Sequence, residues 1–167
     1  MSYFISFVEK LSKFFGIIAS LLLIPLLAFT GYEVIMRYAF NSPTIWVWDV
    51  NIMLFAGVIT LGGADVLRTG SHVGMDILVQ NFQPRNRAIL DLFSSVFFYI
   101  GLLVLLIFSW DQAWMAWEYR ETMSTIWAPP IYPMKMLVPI GTFLVLLQGV
   151  VHTIKNVSAV FYISKGG

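Results

Sequence analysis

The chain has 167 residues, 59% hydrophobic and 11% charged, with a mean hydropathy of +0.81 and a formal net charge of +1. Soluble domains carry roughly a quarter charged residues, so this composition excludes an ordinary soluble protein and marks an integral membrane protein. The near-zero net charge supplies no basic face for nucleic acid, and the lack of cysteine excludes disulfide staples, thiolate metal sites and thiol catalysis.

The first apolar run, residues 14–36, follows Lys10 and Lys13 as the core of a secretory leader would. It exceeds the ~7–15 residues of a leader's apolar core and lacks an A-x-A-like cleavage site, so it is read as a retained helix. Asn41, Ser42 and Pro43 are expected to end that helix and cap the next, because proline fixes φ, cannot donate and suits a first turn. Further apolar runs at 46–67, 88–110 and 134–154 each approach the ~20 residues that cross a ~30 Å hydrocarbon layer. The expected fold is all-α, a single four-helix transmembrane domain over residues 1–167, and the even span count puts both termini on one side.

The second run carries Ala56, Thr60, Gly63 and Ala64, a small-xxx-small pattern. Lipid tails give helices no hydrophobic reason to associate, so close backbone approach and interhelical hydrogen bonds must do so. We read these four residues as a helix-packing face, against the alternative of small residues met by chance. In the loop that follows, Met75, Leu78, Val79 and Phe82 recur at i, i+3, i+4 and i+7 and make one apolar stripe. A short helix in the interface plane and a connector packed on its own bundle both fit that stripe. The third helix is expected to continue past Trp110 until Pro129, Pro130 and Pro133 break the pattern. Trp110, Trp114 and Trp117 share one of its faces, either as an interfacial belt or as a surface for a partner protein.

Orientation follows from Lys and Arg near the helix ends. Lys10, Lys13, Arg68, Arg85, Arg87, Lys155 and Lys165 lie on the terminal side, against Arg37, Arg120 and Lys135 opposite, which places both termini in the cytoplasm. Tryptophan prefers the membrane–water interface, and a four-span reading puts all six on the other side. Trp46 opens the second helix, and Trp48, Trp110, Trp114, Trp117 and Trp127 form the belt.

Ionisable residues inside a membrane are expensive and point to function, so their depth matters. Glu33, Asp49, Asp65, Asp91 and Asp111 all fall near span ends, and Glu33 with Arg37, Arg87 with Asp91 and Asp65 with Arg68 have helical pairing spacing. The middle levels, residues 22–26, 55–59, 101–105 and 143–146, are almost wholly apolar. Secondary transporters hold their solutes at that depth, so this chain is not expected to move a solute alone. His72 and His152 sit in a loop and at a helix end, where solvated or capping roles outweigh haem ligation. No phosphate cradle, nucleophile–base set or metal-spaced cluster appears, and no cofactor is expected.

The pattern RY-x-F-N-S-P-x-x-W-x-x-D, followed some twenty residues on by R-x-G-x-H-V-x-x-D, resembles the small membrane subunit of tripartite ATP-independent periplasmic (TRAP) transporters, the DctQ-like family. Arg37, Tyr38, Asn41, Pro43, Trp46 and Asp49 match, then Arg68, Gly70, His72 and Asp76, with Pro139, Ile140 and Gly141 like the family's P-I-G. The family's usual acidic run after the tryptophan is reduced here to Asp49. The resemblance implies a non-enzymatic scaffold subunit in a bacterial inner membrane. Its implied partners are a large membrane subunit holding the sodium and substrate sites and a periplasmic binding protein that delivers an organic acid, such as a dicarboxylate or sialic acid. Membrane lipids are a further partner, and nucleic acid is not. Arg37, Trp46, Asp49, Arg68, His72 and Asp76 are the expected partner contacts. The rivals are a self-sufficient proton-coupled exporter using Glu33 and a haem-bearing membrane anchor.

Overall fold

The computed structural model describes residues 2–69 and 84–165, with side chains over residues 3–69 and 95–155. Within these, the chain forms four helices: α1 (Ser2–Tyr38), α2 (Val47–Arg68), α3 (Pro84–Glu118) and α4 (Tyr132–Lys165). Each contains a stretch long and apolar enough to cross a membrane, the shortest being the 22 residues of α2. At about 1.5 Å per residue, even α2 reaches ~33 Å, slightly more than the hydrocarbon thickness. The protein is therefore all-helical and multi-pass. The expected interfacial helix over residues 75–82 and the Arg87–Asp91 pair lie outside the described residues or side chains.

The helices do not close into a ring. α1 packs along α2, α2 along α4 and α4 along α3, while α1 touches α4 only lightly. α3 is thus carried mainly by α4. Much of the apolar surface faces outward, with Leu27 70% and Ile107 66% exposed. Lipid is as apolar as these side chains, so their exposure carries no penalty and their burial gives no drive.

Small residues supply the contacts instead. A Cβ on Gly141 of α4 would lie 2.3 Å from the Thr60 carbonyl oxygen of α2, so the two backbones touch where no side chain fits. One helical turn further, Gly63 faces Val145, while on the opposite side of α2 Gly62 faces Ala19 of α1. Ala64 is fully buried and Ala56 half-buried. Gly149 leaves room for the Phe98 and Tyr99 rings of α3.

Most hydroxyls within the layer are satisfied locally, while the buried Asn51 Oδ1 has no hydrogen-bond partner among the described residues. The hydroxyls of Thr60, Thr142, Ser20 and Thr30 each donate to a carbonyl four residues back, at 2.7–2.9 Å. Such back-bonding removes the cost of a hydroxyl in hydrocarbon. Other hydrogen bonds cross between helices, from Ser12 Oγ to Gln148 Oε1 at 2.8 Å, from Asn51 Nδ2 to Thr30 Oγ1 at 3.1 Å, and between the Tyr99 and Thr153 hydroxyls at 2.6 Å.

The expected cap on the second helix is not formed. α2 starts at Val47 after Trp46, which makes no side-chain capping bond. Asn41 instead terminates α1 in the left-handed region at φ 49°, and the Ser42 N–H donates to the Met36 carbonyl. Asparagine tolerates that conformation better than most residues, which makes it a terminator here rather than a cap.

Candidate functional site

Chemistry-bearing side chains collect at the two ends of the helical layer. At the end holding the α1–α2 and α3–α4 connections, Glu33 organises the first loop. One carboxylate oxygen accepts from Arg37 Nη2 at 2.7 Å, and the other accepts from the Thr44 N–H at 3.2 Å and from the Thr44 hydroxyl. Glu33 thereby fixes the entry to α2 while its charge is balanced by Arg37, whose side chain stays 56% exposed. Both oxygens are thus engaged by Arg37 and Thr44.

Trp46 enters α2 with its ring edge-on to Phe29, centroids 5.6 Å apart, and tilted against Tyr32. Asp49, one turn on, is 1% exposed and accepts a hydrogen bond from Thr125 Oγ1 at 2.6 Å. Its position in the first turn also suits a carboxylate, since the helix N-terminus carries partial positive charge. Thr125 belongs to the α3–α4 connection, which is folded back on itself: the Met123 N–H donates to the Pro129 carbonyl and the Ile131 N–H to that of Glu121. Lys135 Nζ reaches Glu121 Oε2 at 2.5 Å across the base of this clasp. A buried carboxylate on α2 therefore holds a loop 76 residues away in sequence.

α3 ends in a turn that needs Arg120 at φ 47°, with the Glu121 N–H donating to the Ala116 carbonyl. This six-to-one bond satisfies a carbonyl that the helix end would otherwise leave open. Ala113 and Ala116 are buried, and on the outward side Trp110, Trp114 and Trp117 are each about half exposed. Trp48, at 72%, and Trp127, at 45%, are also exposed at this end. Trp117 meets Tyr132 edge-on at 5.0 Å, which joins α3 to the start of α4.

At the opposite end, Arg68 Nε donates to Asp65 Oδ1 at 2.7 Å, each side chain about a quarter exposed. Asp65 rests on Gly16 of α1, where a Cβ would sit 2.5 Å from its side-chain carbons. Glu9 and Lys155 pair nearby and tie α1 to α4. His152 is exposed close to that pair, whereas His72 and Asp76 lie outside the described residues. Among the described residues no group of three His, Cys, Asp or Glu side chains is placed to hold a metal.

Sequence reasoning missed Thr125, Thr44, Ser12 and Gln148. A signal for one contact was present: Ser12, Gly16 and Ser20 repeat at four-residue spacing, the same kind of small-residue stripe as on α2. Thr125 has no such signature, because its partner lies across a turn and a helix.

These features define a multi-pass helical membrane protein whose ionisable groups brace its two ends and leave its middle apolar. The chain belongs to the DctQ component family of tripartite ATP-independent periplasmic transporters, whose family model matches residues 26–159. It is also 29% identical over 82 residues to the C4-dicarboxylate TRAP transporter small permease protein DctQ of Vibrio cholerae serotype O1. That match covers 49% of this chain and 35% of the relative. The protein is accordingly a transport component of a bacterial inner membrane and not an enzyme.

Proposed function

We propose that this chain is the static frame of a sodium-driven TRAP importer of an organic acid. It works beside a large membrane subunit that carries the solute and a periplasmic binding protein that delivers it. The observation carrying this reading is the middle of the helical layer, where Thr60 and Thr142 spend their hydroxyls on their own helices. Among the described residues at that depth there is no cluster of His, Cys, Asp or Glu to hold an ion, whereas secondary transporters keep their solute sites near the midplane.

In this reading both termini face the cytoplasm. Arg68, His72 and Asp76 brace the cytoplasmic side against the large subunit, and Arg37, Trp46 and Asp49 set the periplasmic end. The C4-dicarboxylate transporter of Vibrio cholerae to which the relative belongs makes C4-dicarboxylates the first substrate class to try. The test is co-purification of the large subunit with an Arg68→Ala/Asp76→Ala variant. Loss of the complex is expected, and an intact, fully active complex would count against this assignment.

A further inference from the structure

Toward the loop end, α3 and α4 line a groove of about 610 Å³ with apolar walls that include Ile107, Ile140, Phe143 and Leu144. Trp110 and Asp111 also line it. Ile107 is 66% exposed and Phe143 51%, so the groove opens outward to the surrounding lipid. Asp111 makes no hydrogen bond or ion pair among the described side chains; at this end Arg37 and Lys135 are paired with other carboxylates, and Arg120, in the turn after α3, makes no ion pair with it. An apolar slot with a lone carboxylate beside it is complementary to an amphiphile whose head is cationic. The indole N–H of Trp110 adds a donor beside that acceptor.

We propose that this groove binds an amine-bearing phospholipid, one acyl chain lying along Ile107, Ile140 and Phe143 and the ammonium group on the Asp111 carboxylate. Trp110 donates to the lipid's phosphate or ester oxygens, as tryptophan does at the membrane interface. Charge sets the selectivity. Phosphatidylglycerol brings a net negative head with no ammonium to answer Asp111, and the quaternary ammonium of phosphatidylcholine has no N–H to donate. A purely apolar partner helix in the same place would leave the carboxylate without a partner in a dry contact, which is costly.

The test is native mass spectrometry of the full chain co-purified with its large subunit, stripped of lipid and titrated with phosphatidylethanolamine, phosphatidylcholine or phosphatidylglycerol. Phosphatidylethanolamine is expected to be retained roughly tenfold more strongly than the other two, the scale of one charge-assisted bond. Asp111→Asn is expected to erase that preference, and Ile140→Trp to remove the bound lipid altogether, with co-purification unchanged in both. The chain has no cysteine, so Ile107→Cys gives a single thiol for labelling. Ready modification of that thiol in the delipidated complex, and its protection by phosphatidylethanolamine, are expected. Equal retention of all three lipids, an unaltered preference in Asp111→Asn, or crosslinking of the Ile107→Cys thiol to the large subunit would each overturn the proposal.

Discussion

Asp49 is buried and accepts from Thr125, so its removal leaves that hydroxyl without its acceptor and releases the loop between α3 and α4. Asp49→Ala is expected to destabilise the detergent-solubilised chain by ~1–3 kcal/mol. Hydrogen exchange over residues 121–131 should rise with it, and Thr125→Val should reproduce the effect in smaller measure. A melting temperature and exchange pattern equal to the wild type's would show that the contact has no hold on the loop. Two glycines make a sharper pair. Gly141→Ala places a methyl on the Thr60 carbonyl and is expected to cost ~1–3 kcal/mol through forced separation of α2 and α4. Gly101 has nothing within 4 Å of the same added carbon. Gly101→Ala should therefore be neutral or stabilising by up to ~1 kcal/mol, as expected for glycine replaced in a helix interior. Thermal melts of the two variants side by side decide this, and an equal effect would refute the packing assignment.

Among the elements, α3 depends on α4 for its place, through Gly149, the Tyr99–Thr153 bond and the Trp117–Tyr132 contact. Gly149→Leu should push Phe98 and Tyr99 aside and raise exchange in α3 while leaving α1 and α2 protected; uniform loss of protection would mean that the layer is one cooperative unit. The existence of four spans was legible in the sequence because twenty-residue apolar runs have no other use in a chain this poor in charge. The contact of Thr60 with Gly141 was half legible. The small stripe on α2 announced close packing, but nothing local named α4 as the partner. The start of α2 was legible to within one residue and Asn41 ends α1 as expected, but the cap expected from Asn41 or Ser42 was misread, since an asparagine shortly before a proline serves equally well as a left-handed terminator. Glu33 decides between the two by drawing the Thr44 N–H to α1. The ties of Asp49 to Thr125 and Ser12 to Gln148 were illegible, because separations of 76 and 136 residues carry no period to detect.

For the molecule as a whole, polar bonding concentrates at both ends and the middle stays apolar, a distribution suited to holding shape under load. The ends resist displacement through buried or paired carboxylates, while the middle packs by small residues and presents leucine, isoleucine and phenylalanine to lipid or to a neighbouring helix. Arg37 and the exposed tryptophans lie at one end, and Arg68 with Lys155 at the other, so a partner spanning the bilayer would meet polar handholds only at its rims. The most direct measurement is succinate uptake, driven by an imposed sodium gradient, into liposomes holding this chain alone, its large subunit alone, or both, with the binding protein supplied outside. The frame assignment predicts no uptake by this chain alone and full uptake only with both membrane subunits present. Sodium-dependent accumulation of the acid by this chain alone would contradict it.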